Sequence, residues 1–266
     1  MRPFLLPLPL AAAMVYYAYN TAREIRMRMS VLLGVAAVAA VAGCTQARSE
    51  NGGPTVERSY AVGDFDRIDL AGNYDVTVHT GAKPGVQARG NEKVMERLVV
   101  EVRDGVLVIE PRKTQGFNWK WTNHGKVTLN VTVPSLRGAQ LGGAGDVRID
   151  EVKGDRFDGA IAGSGDLSVE RIEVGALTMG ISGAGSAKLG TGKARTAEYE
   201  IVGSGGIDAK GIAAETASVS IMGAGDVQAN AARTAAVNIM GSGDVDVTGG
   251  AKCTVSKAGA GDVRCS

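Results

Sequence analysis

From Ala139 onward, apolar and polar residues alternate in short runs that glycine interrupts at regular intervals. Two residues before each interruption stand Leu141, Ile161, Ile181, Ile201, Ile221 and Ile239. Four residues before stand Ala139, Gly159, Met179, Tyr199, Val219, Val237 and Val255, with polar residues such as Gln140, Glu200, Ser220 and Asn238 between the two columns. After the glycines the alternation resumes. Val147, Leu167, Ala187, Ile207, Val227, Val245 and Val263 form one column, and Ile149, Val169, Leu189, Ala209, Ala229, Val247 and Cys265 the next. Period two is the signature of half-buried strands. Each unit therefore predicts strand, turn, strand and a looser third side.

The interruptions are one phrase written seven times at steps of 20, 20, 20, 20, 18 and 18 residues. Its glycine pairs are Gly143 and Gly145, Gly163 and Gly165, Gly183 and Gly185, Gly203 and Gly205, Gly223 and Gly225, Gly241 and Gly243, and Gly259 and Gly261. No single unit can bury its apolar side, whereas stacked units bury all of them in one core. The pattern predicts an all-β fold, a right-handed parallel β-helix of about seven coils of 18–20 residues. A sharp corner at the same place in every coil accounts for the recurring glycine. Five phrases continue with aspartate (Asp146, Asp166, Asp226, Asp244, Asp262), while Ser186 and Gly206 stand in the other two. A corner carboxylate can accept bonds from turn N–H groups. A calcium ladder is the alternative, but calcium-binding roll repeats place their ligands at a different spacing. No metal site is therefore expected.

Between Val56 and Val133 the alternation persists with less regularity, in stretches such as "YDVTVHT" and "KVTLNVTVP". "RDG" at Arg103–Gly105 reads as a hairpin turn and "NEKVMERL" as a short helical turn. These strands are expected to continue the solenoid or to cap its N-terminal end.

A net charge of +1 leaves no electrostatic footprint for nucleic acid. Aromatics at 5% and 38 glycines point to a thin core of small aliphatic side chains. Residues 27–44 resemble a bacterial lipoprotein signal. A basic start is followed by an apolar run from Val31 to Val41 and by Val41-Ala42-Gly43-Cys44, with Cys44 as the lipidated residue. Thr45 after the cysteine resembles an outer-membrane address. Residues 1–26 read as an upstream extension, either untranslated, with the start at Met27 or Met29, or unstructured. Residues 45–55 read as a flexible tether and 56–266 as the β domain.

"FDRIDLAGNYDVTVHTG", "VEVRDGVLVIEP" and "VTLNVTVPSLRGAQLGGAGDV", with the later Gly-Ser-Gly-Asp copies, resemble the head-GIN domain family of auto-transporter adhesins. The resemblance runs from about Asp64 to Ser266, and the step Val133-Pro134-Ser135-Leu136 is specific to it. It implies a β-helical envelope protein, secreted or lipid-anchored, and supplies no catalytic residues. No membrane β-barrel follows Ser266 in this sequence, so self-secretion is not expected.

Candidate chemistry is sparse. His79 and His124 sit in no metal or triad motif, and Ser164, Ser204 and Ser242 lie outside any nucleophile elbow. The stretch from Thr114 to Lys126 holds Phe117, Trp119, Trp121 and His124. Its indoles either stack on a sugar or partner surface or pack against the solenoid. Cys253 and Cys265 both fall in the last coil, where a disulfide or two small buried thiols would fit. An oxidising envelope favours the disulfide. The expected function is non-enzymatic and needs no cofactor: a lipid-anchored envelope protein offering a β-helical surface for adhesion or assembly. Its expected partners are the membrane, through its lipid, and a glycan or envelope protein. The alternative is a periplasmic polysaccharide-binding or polysaccharide-processing protein, with paired carboxylates on a lateral groove.

Overall fold

The structure is a computed structural model that describes residues 54–112 and 126–266. Its first part comprises β1 (Thr55–Tyr60), β2 (Arg67–Gly72), β3 (Asp75–Thr80), β4 (Gly85–Asn91), the single turn α1 (Glu92–Met95), β5 (Leu98–Arg103), β6 (Val106–Pro111) and β7 (Val127–Val133). The repeats follow as β8 (Gly138–Gly143), β9 (Asp146–Gly163), β10 (Asp166–Gly183), β11 (Ser186–Gly203) and β12 (Gly206–Asp208). The last five strands are β13 (Ile212–Gly223), β14 (Asp226–Gly241), β15 (Val245–Thr248), β16 (Lys252–Gly259) and β17 (Val263–Cys265).

The repeats form a parallel β-solenoid. β9, β10 and β11 run from one glycine corner to the next, and each pairs with its neighbours in parallel along three sides. The first side leads into the corner, the second leaves it, and the third closes the circuit. The columns predicted from period two are buried. Ile161, Ile201 and Ile239 are fully enclosed, as are Val227, Ala209 and Ala229. Gly159 falls in an inward column because Met179 fills its place: a Cβ there would lie 2.6 Å from Met179 Sδ.

The coil count is lower than expected. The seven corners bracket six complete turns, 143 to 163, 163 to 183, 183 to 203, 203 to 223, 223 to 241 and 241 to 259. An eighth corner, at Gly72, stacks on Gly143 and belongs to no complete turn, because 71 residues separate the two (143 − 72). The sequence phrase hides this corner because Tyr74 stands where the other corners have their second glycine.

The N-terminal strands both extend and cap the stack. β2 and β3 form a first layer in parallel register with β8 and β9. Later chain then covers that layer from the other side, β6 lying on β2 and β7 on β3. Beyond them the pairing turns antiparallel, with β5 on β6, β4 on β7 and β1 on β4. Asp104 and Gly105 both have positive φ, as the two-residue hairpin between β5 and β6 demands. Asn91 caps α1 by accepting from Lys93 N at 3.0 Å. Leu136 is buried as the chain passes from β7 to β8.

Candidate functional site

Three surface features grow out of this architecture: the corner column, the first side beside it, and the two ends.

At each corner the first glycine has φ between +119° and +142°, a region hostile to side chains. Its carbonyl accepts the N–H of the small residue one coil further on. Ser164 N donates to Gly143 O at 2.9 Å, and Ala260 N to Gly241 O at 2.9 Å. The corner aspartates continue the ladder. Asp146 Oδ1 accepts from Asp166 N at 3.4 Å and Asp166 Oδ1 from Ser186 N at 3.1 Å. Asp226 Oδ1 accepts from Asp244 N at 3.0 Å and Asp244 Oδ1 from Asp262 N at 2.7 Å. Where Ser186 and Gly206 replace aspartate, the N–H above turns to a corner carbonyl instead. Gly206 N donates to Gly185 O, and Asp226 N to Gly205 O, both at 3.2 Å. These carboxylates thus cap backbone from coil to coil. Among the described residues no group of three His, Cys, Asp or Glu side chains is placed to hold a metal ion. Beside this column lies a shallow depression of about 220 Å³, lined by Asp226, Asp244, Asp246, Asp262, Gln228 and Arg264.

On the first side, the position just before each corner glycine forms an outward column of Gly142, Ala162, Ser182, Val202, Met222, Met240 and Ala258. Val202, Met222 and Met240 are the exposed ones of size, at 39%, 41% and 58%. Beside the ridge the last three coils carry Ser218, Ser220, Ala236, Asn238, Thr254 and Ser256, and charge enters this side only in the last of them, at Lys252 and Lys257. Sequence reading missed the ridge because it tracked the inward columns. The signal was there, in large apolar residues at an outward parity.

At the N-terminal end of the same side, Asp69 is half-buried. Burial holds its carboxyl above the usual range, and the nearby charge of Glu110 raises it further. Arg103 donates to Glu110 at 3.1 Å. His79 Nδ1 lies 3.3 Å from Asp150 Oδ2, which also accepts from Thr80 N, while the Thr80 hydroxyl donates to Asp150 Oδ1. That group fastens the end of β3 to β9. At the C-terminal end Cys253 and Cys265 are joined in a disulfide with Cα atoms 6.6 Å apart. Cys44, Phe117, Trp119, Trp121 and His124 lie outside the described residues.

A family model described as "Putative auto-transporter adhesin, head GIN domain" matches residues 64–251. Among solved structures, an adhesin of Bacteroides fragilis, titled putative, is 25% identical with a TM-score of 0.73, covering 81% of this chain and 98% of its own. A protein of Parabacteroides merdae with the same title is 20% identical with a TM-score of 0.64, covering 81% of this chain and 97% of its own. A protein of Parabacteroides distasonis, titled a putative lipid binding protein, is 22% identical with a TM-score of 0.63 over 81% of this chain and 98% of its own. The last two share the fold. No curated protein matches.

Proposed function

The chain belongs to the family of the auto-transporter adhesin head GIN domain, and from that premise we propose that it is a non-enzymatic, lipid-anchored protein of the cell envelope. Its solenoid offers rigid, repetitive faces for adhesion or envelope assembly. The observation that carries this reading is the use made of the corner carboxylates. They are engaged coil by coil with backbone N–H groups, so the most regular chemical feature of the surface serves the stack. A surface that holds its shape without moving parts suits binding, where preorganisation lowers the cost of association. Cys44 supplies the anchor and the residues between it and β1 the tether.

Two experiments test the proposal. Cells given a clickable fatty acid should label the wild-type protein and not Cys44→Ser, which should also leave the membrane fraction. Equal labelling of both removes the anchor. The purified domain on a glycan array should show selective binding that Trp119→Ala with Trp121→Ala abolishes. An array blank for the wild type removes the aromatic segment as a glycan contact.

The raised carboxyl of Asp69 beside Glu110 favours one second reading, a polysaccharide-processing protein with Asp69 as acid. It requires that envelope polysaccharide be cleaved by the wild type and left intact by Asp69→Asn.

A further inference from the structure

We propose that the last coil is a strand-addition site for an extended, acidic segment of another protein. Among the described residues β16 pairs only with β14, and β17 only with β15. The far edge of the eight-residue strand β16 therefore offers its backbone groups to a further strand. The end also presents, unfilled, the two acceptors that the interface just below it uses. Gly241 O takes the N–H of Ala260 and Asp244 Oδ1 takes the N–H of Asp262. Gly259 O and the Asp262 carboxylate occupy the same two positions one coil further on.

Two side chains define what would fit. Val255 stands in register with the buried Val237 yet is 47% exposed, so it calls for an aliphatic neighbour. Lys257 stands in register with Ile239, and its Nζ donates to Gly261 O at 2.6 Å, leaving further protons for a carboxylate. A parallel strand with an aliphatic residue followed two positions later by Asp or Glu meets both.

A second copy of the chain fits less well. Tail to tail, it would bring Lys252, Lys257 and Arg264 of both copies together, against Asp262 as the terminal coil's acid. Head to tail, it would offer the antiparallel edges of β1 and β5, which carry no corner to meet Gly259 and Asp262.

The test is a fluorescence-anisotropy titration of the whole chain with a labelled peptide of sequence Thr234–Thr248 carrying Ile239→Glu. This peptide should bind about fivefold more tightly than the unchanged peptide, the scale of one exposed ion pair. Lys257→Glu in the chain should reverse that preference. Val255→Asp, at an exposed position, should abolish binding while leaving the thermal midpoint in place. A scrambled peptide that binds as well overturns the proposal. So does a flat titration up to about 1 mM, or a Lys257→Glu chain with unchanged preference. Sedimentation showing a dimer of the wild type that Lys257→Glu dissolves would assign the end to a second copy, and would equally overturn it.

Discussion

A methyl group on Gly165 would lie against the carbonyl oxygen of Gly145 and 2.9 Å from Leu141 Cδ2. The second glycine of each corner is therefore required by the closeness of the coil beneath, and the first by its positive φ as well. Gly165→Ala should lower stability by more than about 3 kcal/mol. Gly154→Ala makes an instructive partner. Its φ is +150°, but open space surrounds the added atom, so conformational strain alone should cost about 1–2 kcal/mol. Urea melts of the two variants measure the difference. Tyr74 shows the same rule from the other side: it replaces the second glycine at the one corner with no other described corner beneath it. Deep in the core, Tyr199 buries its hydroxyl with no hydrogen-bond partner, and burial pushes the phenol far above its usual pKa. Tyr199→Phe removes that cost and should stabilise the domain by about 1 kcal/mol in the same melts.

Strand-to-strand fastenings carry the next set of expectations. Burial alone would raise the carboxyl of Asp150. The N–H groups of Thr80 and Glu151, the Thr80 hydroxyl and His79 together outweigh it and hold the carboxyl below its ordinary 3.8. A depressed pKa adds stability that is present above the unfolded value and is lost as pH falls through the folded one. The clamp between β3 and β9 should thus weaken below about pH 4. A pH series of thermal midpoints should lose part of its acid slope in Asp150→Asn. The disulfide closes a short loop, its cysteines standing 12 positions apart in sequence. Cys265→Ser should cost the terminal coil about 2–3 kcal/mol. Hydrogen exchange should then quicken in β16 and β17 while β9 to β11 stay protected. Much at this scale was legible in the sequence, since alternation named the inward columns and "RDG" the hairpin. The eighth corner was not, because recognising it required knowing that Tyr74 sits at the one corner with no other described corner beneath it. Nor was the insertion of β2 and β3 between β8 with β9 and β6 with β7. Parallel pairing over that many residues leaves no local mark. The capping aspartates were readable as such, but their acceptance of the next coil's N–H depends on stacking that only the fold reveals.

In the described solenoid the layers touch mainly their neighbours, so its stability is close to a sum over layers. Deleting residues 184–203, one full period from corner to corner, should therefore leave a shorter folded solenoid. Removing residues 184–193, half a period, brings unlike columns together and should abolish cooperative unfolding. Circular dichroism melts of the two deletions distinguish these outcomes.

The period falls from 20 to 18 residues after Gly223, and the loss is taken up around the third side, between Asp208, in register with Gln228, and Thr216, in register with Thr234. The corners and the two sides that meet there keep their alignment throughout, down to Gly223 over Gly241. Length is thus negotiable along one seam and fixed along the others. A foreign loop spliced next to Ala213 should ride there as a passenger, displayed at the margin of a scaffold that takes no notice of it.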